Sequence, residues 1–114
     1  SQMFSAVSVG DRTTLDRIRK TYNSTGVILD PHSAVGLDAA YTIRSSKSFS
    51  EKVPIISLAC AHPAKFPDAV KTATGCHPKL PFQLDDLLNR KEYVIELPNN
   101  FKTVAKYIAD NTNV

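Results

Sequence analysis

The 114-residue sequence predicts an α/β fold in which a layer of parallel strands is flanked by helices. Segments whose apolar residues recur at helical spacing alternate along the chain with short apolar runs, an order typical of this fold class. Residues 27–29 and 53–61 are apolar runs without regular polar alternation, which is typical of parallel strands buried on both faces. A chain of this length forms one compact domain or one piece of a larger one.

The first predicted helix precedes the first predicted strand. Asp11 can cap a helix that begins at Arg12 and ends in residues 23–26, which read NSTG. The apolar positions of this helix recur at helical spacing: Leu15, Ile18 and Tyr22. Residues 27–29 then form the strand, and the Asp-Pro pair that follows ends it.

The second predicted helix opens at His32 or Ser33 and leads through a polar loop, residues 45–52, to the second strand. One face of this helix carries Val35, Ala39, Thr42 and Ile43. Pro54 suits the start of the strand at residues 53–61, because proline cannot donate to the hydrogen-bond ladder inside a sheet.

A third helix is predicted from residue 64 to residue 73, with Pro67 in its first turn and Gly75 as its stop. The proline-containing residues 76–82 are predicted to be a connector, and residues 83–89 a short helix.

The end of the sequence predicts one more strand and one more helix. Residues 92–97 alternate in the manner of an edge strand, and Asn99 or Asn100 can cap the helix that follows. The apolar stripe of that helix is Phe101, Val104, Ala105 and Ile108. We therefore expect an α/β core portion over residues 1–75, and a connector, strand and helix over residues 76–114.

Charge and cysteine content narrow the classes of function. The net charge of +3 comes from 14 basic and 11 acidic residues that are interleaved, whereas a nucleic-acid-binding face is usually a clustered basic patch. No apolar run reaches the ~18 residues that a membrane span needs, and we expect no secretory signal. Cys60 and Cys76 form no C-x-x-C pair, so a reducing, cytoplasmic setting is expected. Neither nucleic acid nor a membrane is an expected partner.

Polar residues gather at two predicted strand ends, residues 29–33 and 58–65. Each joins the carboxyl end of a strand to a helix start, where open α/β sheets bind ligands and where helix N–H groups suit anions. The same residues can also have purely structural roles. His32 and Ser33 can cap a helix, Cys60 can be a core residue and Lys65 a surface residue. The cysteine and histidine spacings do not favour a zinc site, and no G-x-S-x-G or G-x-G-x-x-G motif occurs.

Two stretches resemble the threonine synthase family. Residues 30–36 read DPHSAVG and are similar to that family's D-P-H-[ST]-A-V-G segment. Residues 58–66 read LACAHPAKF and resemble its L-[AS]-T-A-H-P-A-K-F segment. Their order and separation match the family's C-terminal quarter, and the resemblance covers most of residues 12–110. The chain is thus identified as a C-terminal segment of a larger enzyme, inactive alone.

The resemblance implies part of a fold-type II, tryptophan-synthase-β-like enzyme with pyridoxal 5′-phosphate (PLP) as its cofactor. Such an enzyme converts O-phospho-L-homoserine and water into L-threonine and phosphate. The family's Schiff-base lysine lies upstream of the matched segments, so no catalytic residue is assigned here. Cys60 stands where the family usually has Thr and is expected to face the pyridine nitrogen of PLP. The expected substrate-binding residues are His32, Ser33, His62 and Lys65. No metal ligand is expected.

Two other functions remain open at this point. A threonine-synthase-like phospholyase would act on a related phosphorylated amino acid and release a keto acid. A non-catalytic interaction module would instead use exposed apolar surface to bind a partner.

Overall fold

The computed structural model describes residues 4–46 and 52–112. The chain divides into two compact units, residues 1–82 and residues 83–114. The described residues form α-helices joined by irregular segments and short 3-10 turns: α1 Asp11–Thr25, α2 Pro31–Ser45, α3 Pro67–Thr74 and α4 Phe101–Asn111. Of the polar loop predicted at residues 45–52, residues 47–51 lie outside the described part.

The predicted parallel-sheet layer is wrong, and with it the partial tryptophan-synthase-β-like architecture. The three segments predicted as strands, residues 27–29, 53–61 and 92–97, contain no strand in the described chain. A strand needs a second backbone to bond to, and these segments do not pair with one another. Their apolar composition does not guarantee burial either, since Ile56 is 84% exposed and Leu58 82% exposed.

The first helix, α1, starts one residue earlier than predicted. Asp11 is its first residue rather than its cap, and Gly10 occupies the cap position without a side-chain bond. The predicted stop is confirmed, because Gly26 adopts a left-handed φ of 75° and its N–H donates to the Tyr22 carbonyl at 2.8 Å. A residue with a Cβ would be strained in that conformation, which explains the glycine.

The core of the first unit lies between α1, α2 and α3. Its buried apolar residues come from all three helices: Ile18, Ala34, Val70 and Ala73. Leu15 and Leu29 pack against this cluster from its edge. Two alanines and two branched residues make up this centre, so the core is modest.

The third predicted helix is divided at Phe66. A 3-10 turn, Pro63–Lys65, comes first, and α3 begins at Pro67. Phe66 is non-helical, with φ −132° and ψ 56°, because the ring of a following proline disfavours the helical conformation. The predicted first-turn place of Pro67 and the stop at Gly75, where φ is 76°, are both confirmed.

Side-chain bonds fasten α1 to its two neighbours. Arg17 lies 2.8 Å from the Asp38 carboxylate and 4.2 Å from the centre of the Tyr41 ring, and both residues belong to α2. Arg19 donates to the carbonyl of Ala73 at the end of α3, over 3.2 Å. These contacts fix the helices that carry the site described below.

The second unit contains α4 and less regular structure. Two 3-10 turns, Phe82–Leu84 and Leu87–Asn89, take the place of the short helix predicted at residues 83–89. Asn100 caps α4 as predicted, accepting a hydrogen bond from the Thr103 N–H at 3.1 Å. The predicted apolar stripe of α4 is largely uncovered, since Phe101 is 86% exposed. None of the helices in the described ranges combines the length and apolarity needed to cross a membrane.

Candidate functional site

The site is organised by Asp30, the residue before α2. Its carboxylate oxygen Oδ1 accepts hydrogen bonds from the backbone N–H groups of His32, at 2.9 Å, and Ser33, at 3.4 Å. Pro31 fills the first helical position, where its missing N–H costs nothing. The helix was predicted to open at His32 or Ser33. It opens one or two residues earlier, and the cap is Asp30.

The other carboxylate oxygen of Asp30 reaches the second polar segment. Oδ2 accepts a short hydrogen bond from the Ser33 hydroxyl and a longer one, of 3.3 Å, from the Ala61 N–H. The Ser33 hydroxyl oxygen in turn accepts from the Cys60 N–H at 2.9 Å. Two segments that the sequence singled out separately, residues 29–33 and residues 58–65, are therefore joined in one hydrogen-bond network.

Hydrogen bonding keeps the buried Asp30 carboxyl group ionised. The residue is 1% exposed, and burial by itself would raise its pKa. The bonds donated by the Ser33 hydroxyl and by the N–H groups of His32, Ala61 and Ser33 outweigh that effect, so the pKa lies below its usual value. The positive end of the α2 dipole favours the same charged form.

The solvent side of the network carries the other predicted site residues. Cys60, His62 and Lys65 are exposed, and the His32 side chain is 58% exposed. The His32 ring lies 5.0 Å from that of Phe66, at an interplanar angle of 56°. Cys60 and Phe66 thus both contact residues at the start of α2, and the turn that carries His62 and Lys65 runs between them.

His62 has a local structural role as well. Its Nδ1 atom accepts a hydrogen bond from the Ala64 N–H at 3.2 Å and so caps the 3-10 turn Pro63–Lys65. Nδ1 must therefore be unprotonated in this arrangement, which leaves Nε2 to carry the ring proton when the imidazole is neutral.

An open cavity of about 310 Å³ lies at the amino ends of α1, α2 and α3. It is lined by Asp11, Thr14, Leu15, Pro31, Asp68, Ala69 and Thr72. A second cavity, of about 270 Å³, is lined by Val9, Asp11, Thr14, Pro31, His32 and Val35. Of the predicted site residues, only His32 lines either cavity. The Cys60 thiol therefore belongs to an open surface.

The sequence interpretation missed the contributions of Asp30 and Phe66. For Asp30 a signal was present, since an Asp followed at once by Pro is typical of a helix cap and first turn. For Phe66 no comparable local signal exists, because its contact with His32 spans 34 positions of the chain. In the described residues, no group of three or more His, Cys, Asp or Glu is arranged to hold a metal ion.

Comparisons with known proteins agree on one family. The family model described as "Threonine synthase, C-terminal" matches residues 33–108. The threonine synthase of Pseudomonas aeruginosa is 40% identical over 113 residues, covering 98% of this chain and 23% of the relative. That of Saccharomyces cerevisiae is 33% identical over 110 residues, covering 93% of this chain and 21% of the relative.

A solved structure is similar as well. The crystal structure of a PLP-bound threonine synthase from Brucella melitensis matches with a TM-score of 0.67 and 43% identity. The match covers 85% of this chain and 20% of that one. The chain thus spans about a fifth of the length of these relatives.

Proposed function

This chain belongs to the threonine synthase family, and from that premise we propose that the full-length protein is a PLP-dependent carbon–oxygen lyase. In this proposal the enzyme converts O-phospho-L-homoserine and water into L-threonine and phosphate. The observation that carries it is the family match over residues 33–108, which includes Ser33 of the first polar segment and all of the second. Because the chain spans about a fifth of its relatives, the activity would require the rest of the same enzyme.

The residues around Cys60 suit a PLP ring. When bound, PLP supplies an electron sink for carbanionic chemistry at the substrate carbons. Cys60 offers an exposed, uncharged thiol, which is a weak hydrogen-bond partner and would leave the pyridine nitrogen unprotonated. The nearby carboxylate of Asp30 is 1% exposed and its oxygens accept internal bonds, so it does not compete for that position.

Exposed basic and imidazole groups beside Cys60 suit an anionic substrate. O-phospho-L-homoserine carries a phosphate and a carboxylate, which bind best to cations and N–H donors. We propose that Lys65, His62 and His32 hold these anions at the open surface. Ser33, also predicted to bind substrate, is only 6% exposed and its hydroxyl is engaged by Asp30 and Cys60. Its proposed contribution is therefore indirect, through the hydrogen bond that its hydroxyl oxygen accepts from the Cys60 N–H.

The test is a product analysis with the full-length protein. Phosphate and threonine would be followed from O-phospho-L-homoserine, with and without added PLP. Equal, PLP-dependent release of both products is the expected result. Phosphate together with a keto acid, and no threonine, would instead identify the phospholyase. Absence of both PLP binding and product formation would leave the interaction module as the better explanation.

A further inference from the structure

We propose that Asp30 and Ser33 are positioning residues, which hold the backbone at Cys60 and Ala61 so that the Cys60 thiol is presented to the cofactor ring. This inference rests on the proposed function, in which the Cys60 thiol contacts the PLP ring. It goes further by assigning a role to the buried Asp30 carboxylate, which would act without touching cofactor or substrate. The two residues would act only through the segment they hold.

The Asp30–Ser33 pair forms more hydrogen bonds than a helix cap needs. Asp30 is 1% exposed and Ser33 is 6% exposed. Ser33 accepts a hydrogen bond from the Cys60 N–H, and Asp30 accepts one from the Ala61 N–H. A buried carboxylate is costly unless hydrogen bonds satisfy it, and a plain helix cap needs only one of its two oxygens. Here Oδ1 accepts from the backbone N–H groups in the first turn of α2, whereas Oδ2 accepts from the Ser33 hydroxyl and from the Ala61 N–H of the distant segment.

The segment that leads to Cys60 is held at its two ends rather than by a sheet. Residues 54–60 are exposed and have no neighbouring strand within the described chain, so no sheet ladder fixes them. At the start of the segment, Arg44 donates to the Val53 carbonyl at 2.7 Å. At its end, the N–H groups of Cys60 and Ala61 donate hydrogen bonds to the Asp30–Ser33 pair, which hold the backbone there.

A third observation shows that the segment passes tightly over α2. A Cβ added at Gly36 would lie 3.1 Å from the Ser57 hydroxyl oxygen, a distance tighter than ordinary van der Waals contact. The absence of a side chain at Gly36 therefore lets the segment approach the helix between its two attachment points. Holding the backbone restricts the positions that the Cys60 thiol can take, and a hydrogen bond to a ring nitrogen requires such a restriction.

Asp30→Asn separates positioning from capping. Asn is as good a helix cap as Asp, so the amide oxygen can still accept from His32 and Ser33. The amide nitrogen that replaces Oδ2 is a donor and cannot accept from Ala61 or the Ser33 hydroxyl. Ser33→Ala removes the acceptor for Cys60, and Ser33→Thr restores a hydroxyl.

Thr14→Val is the matched control. Thr14 is 6% exposed like Ser33 and lies in the first turns of α1, and its hydroxyl donates locally, to the Gly10 carbonyl at 3.1 Å. The variant therefore removes one buried hydroxyl at a similar structural cost and leaves the bond to Cys60 intact.

The experiment uses the full-length protein and three measurements: the Kd for PLP by titration of the apoenzyme, the urea midpoint, and amide hydrogen exchange in the peptide spanning residues 58–62. Asp30→Asn and Ser33→Ala are expected to raise the PLP Kd on the order of tenfold, the equivalent of one lost hydrogen bond, and to speed exchange in that peptide. Ser33→Thr should return both values to within about twofold of the wild type. Thr14→Val should lower the urea midpoint alone.

Other outcomes of the same measurements would overturn the positioning role of Asp30 and Ser33. If Asp30→Asn and Ser33→Ala shift only the urea midpoint, as Thr14→Val does, the network is structural and the inference fails. If the wild-type protein binds no PLP, the proposed function and the cofactor part of the inference both fail. Amide exchange in the apoprotein would then still decide whether Asp30 and Ser33 hold the segment.

Discussion

At the scale of single residues, Asp30 links local and distant structure. Its cap on α2 depends on neighbours two and three positions away, whereas its bond to Ala61 spans 31 positions. The DPHSAVG and LACAHPAKF stretches could be found in the sequence because each is a continuous string. The bonds that join them could not, since no local pattern specifies which backbone N–H groups a buried carboxylate will meet.

The lowered pKa of Asp30 gives its contribution to stability a defined pH range. Because the folded pKa lies below the unfolded value of about 4, the stabilisation is present above that pH and disappears as the pH falls through the folded pKa. Asp30→Ala should cost about 1–3 kcal/mol at pH 7, and the difference from wild type should shrink below pH 4. Urea denaturation of the full-length wild type and variant at several pH values measures this difference in the free energy of unfolding.

Asp110→Ala is the control for that series. Asp110 pairs with Lys106 on the exposed side of α4, and its side chain is 55% exposed. Its removal should change stability by less than about 0.5 kcal/mol, since exposed pairs along one helix contribute little. A difference for Asp30→Ala that stays constant from pH 7 to pH 3 would contradict the stated cause of its pKa.

The Cys60 side chain is predicted to matter as an uncharged hydrogen-bond partner. Cys60→Ser keeps such a partner, so the PLP Kd should stay within about threefold of wild type. Cys60→Ala removes it and should weaken PLP binding by about three- to tenfold. Cys76→Ser serves as the control, because the Cys76 thiol contacts the Tyr22 hydroxyl at 3.2 Å. Equal affinities for all three variants would remove Cys60 from the cofactor site.

At the scale of elements, local signals predicted helices well and strands badly. Gly26, Gly75 and Asn100 act on their own neighbours, so the helix ends they mark could be predicted to within a residue or two, whereas α3 starts at Pro67, three residues later than predicted. Strand pairing depends on distant backbone, and the apolar run at residues 53–61 carries no information about whether a partner is present. A composition typical of buried strands thus led to the wrong fold class.

The end of α3 gives a prediction at this scale. Gly75 has a φ of 76°, and its N–H donates to the Lys71 carbonyl at 2.8 Å. Gly75→Ala should destabilise the protein by about 1–2 kcal/mol, because a Cβ is strained in the left-handed conformation. Gly75→Asn should cost less, since Asn tolerates that conformation best among residues with a side chain. The urea denaturation midpoints of the two variants measure this difference. A larger loss of stability for Gly75→Asn than for Gly75→Ala would contradict the prediction.

At the scale of the whole molecule, much apolar surface is uncovered in both units. Large side chains more than 80% exposed include Ile56, Leu58, Phe82, Leu88, Tyr93 and Phe101. Exposed apolar area on this scale usually marks an interface. The chain spans about a fifth of its relatives, so the rest of the same enzyme is the occupant we expect.

The 114-residue chain studied alone should therefore behave differently from the full-length protein. We expect it to bind a hydrophobic dye such as ANS and to melt without a sharp transition, because its core is small and its apolar surface large. The full-length protein, as control, should bind little dye and melt cooperatively. A monodisperse isolated chain with a cooperative melt would favour the interaction module.

The most direct test of the central claim, that the Cys60 surface faces PLP, is differential alkylation of the two cysteines. The full-length apoenzyme would be treated with iodoacetamide with and without PLP, and modification of Cys60 and Cys76 followed by peptide mass spectrometry. Cys60 is exposed and Cys76 half-buried beside Tyr22, so each reports on its own surroundings. We expect PLP to protect Cys60 strongly and Cys76 hardly at all. Equal modification of Cys60 with and without bound PLP would show that the cofactor lies elsewhere.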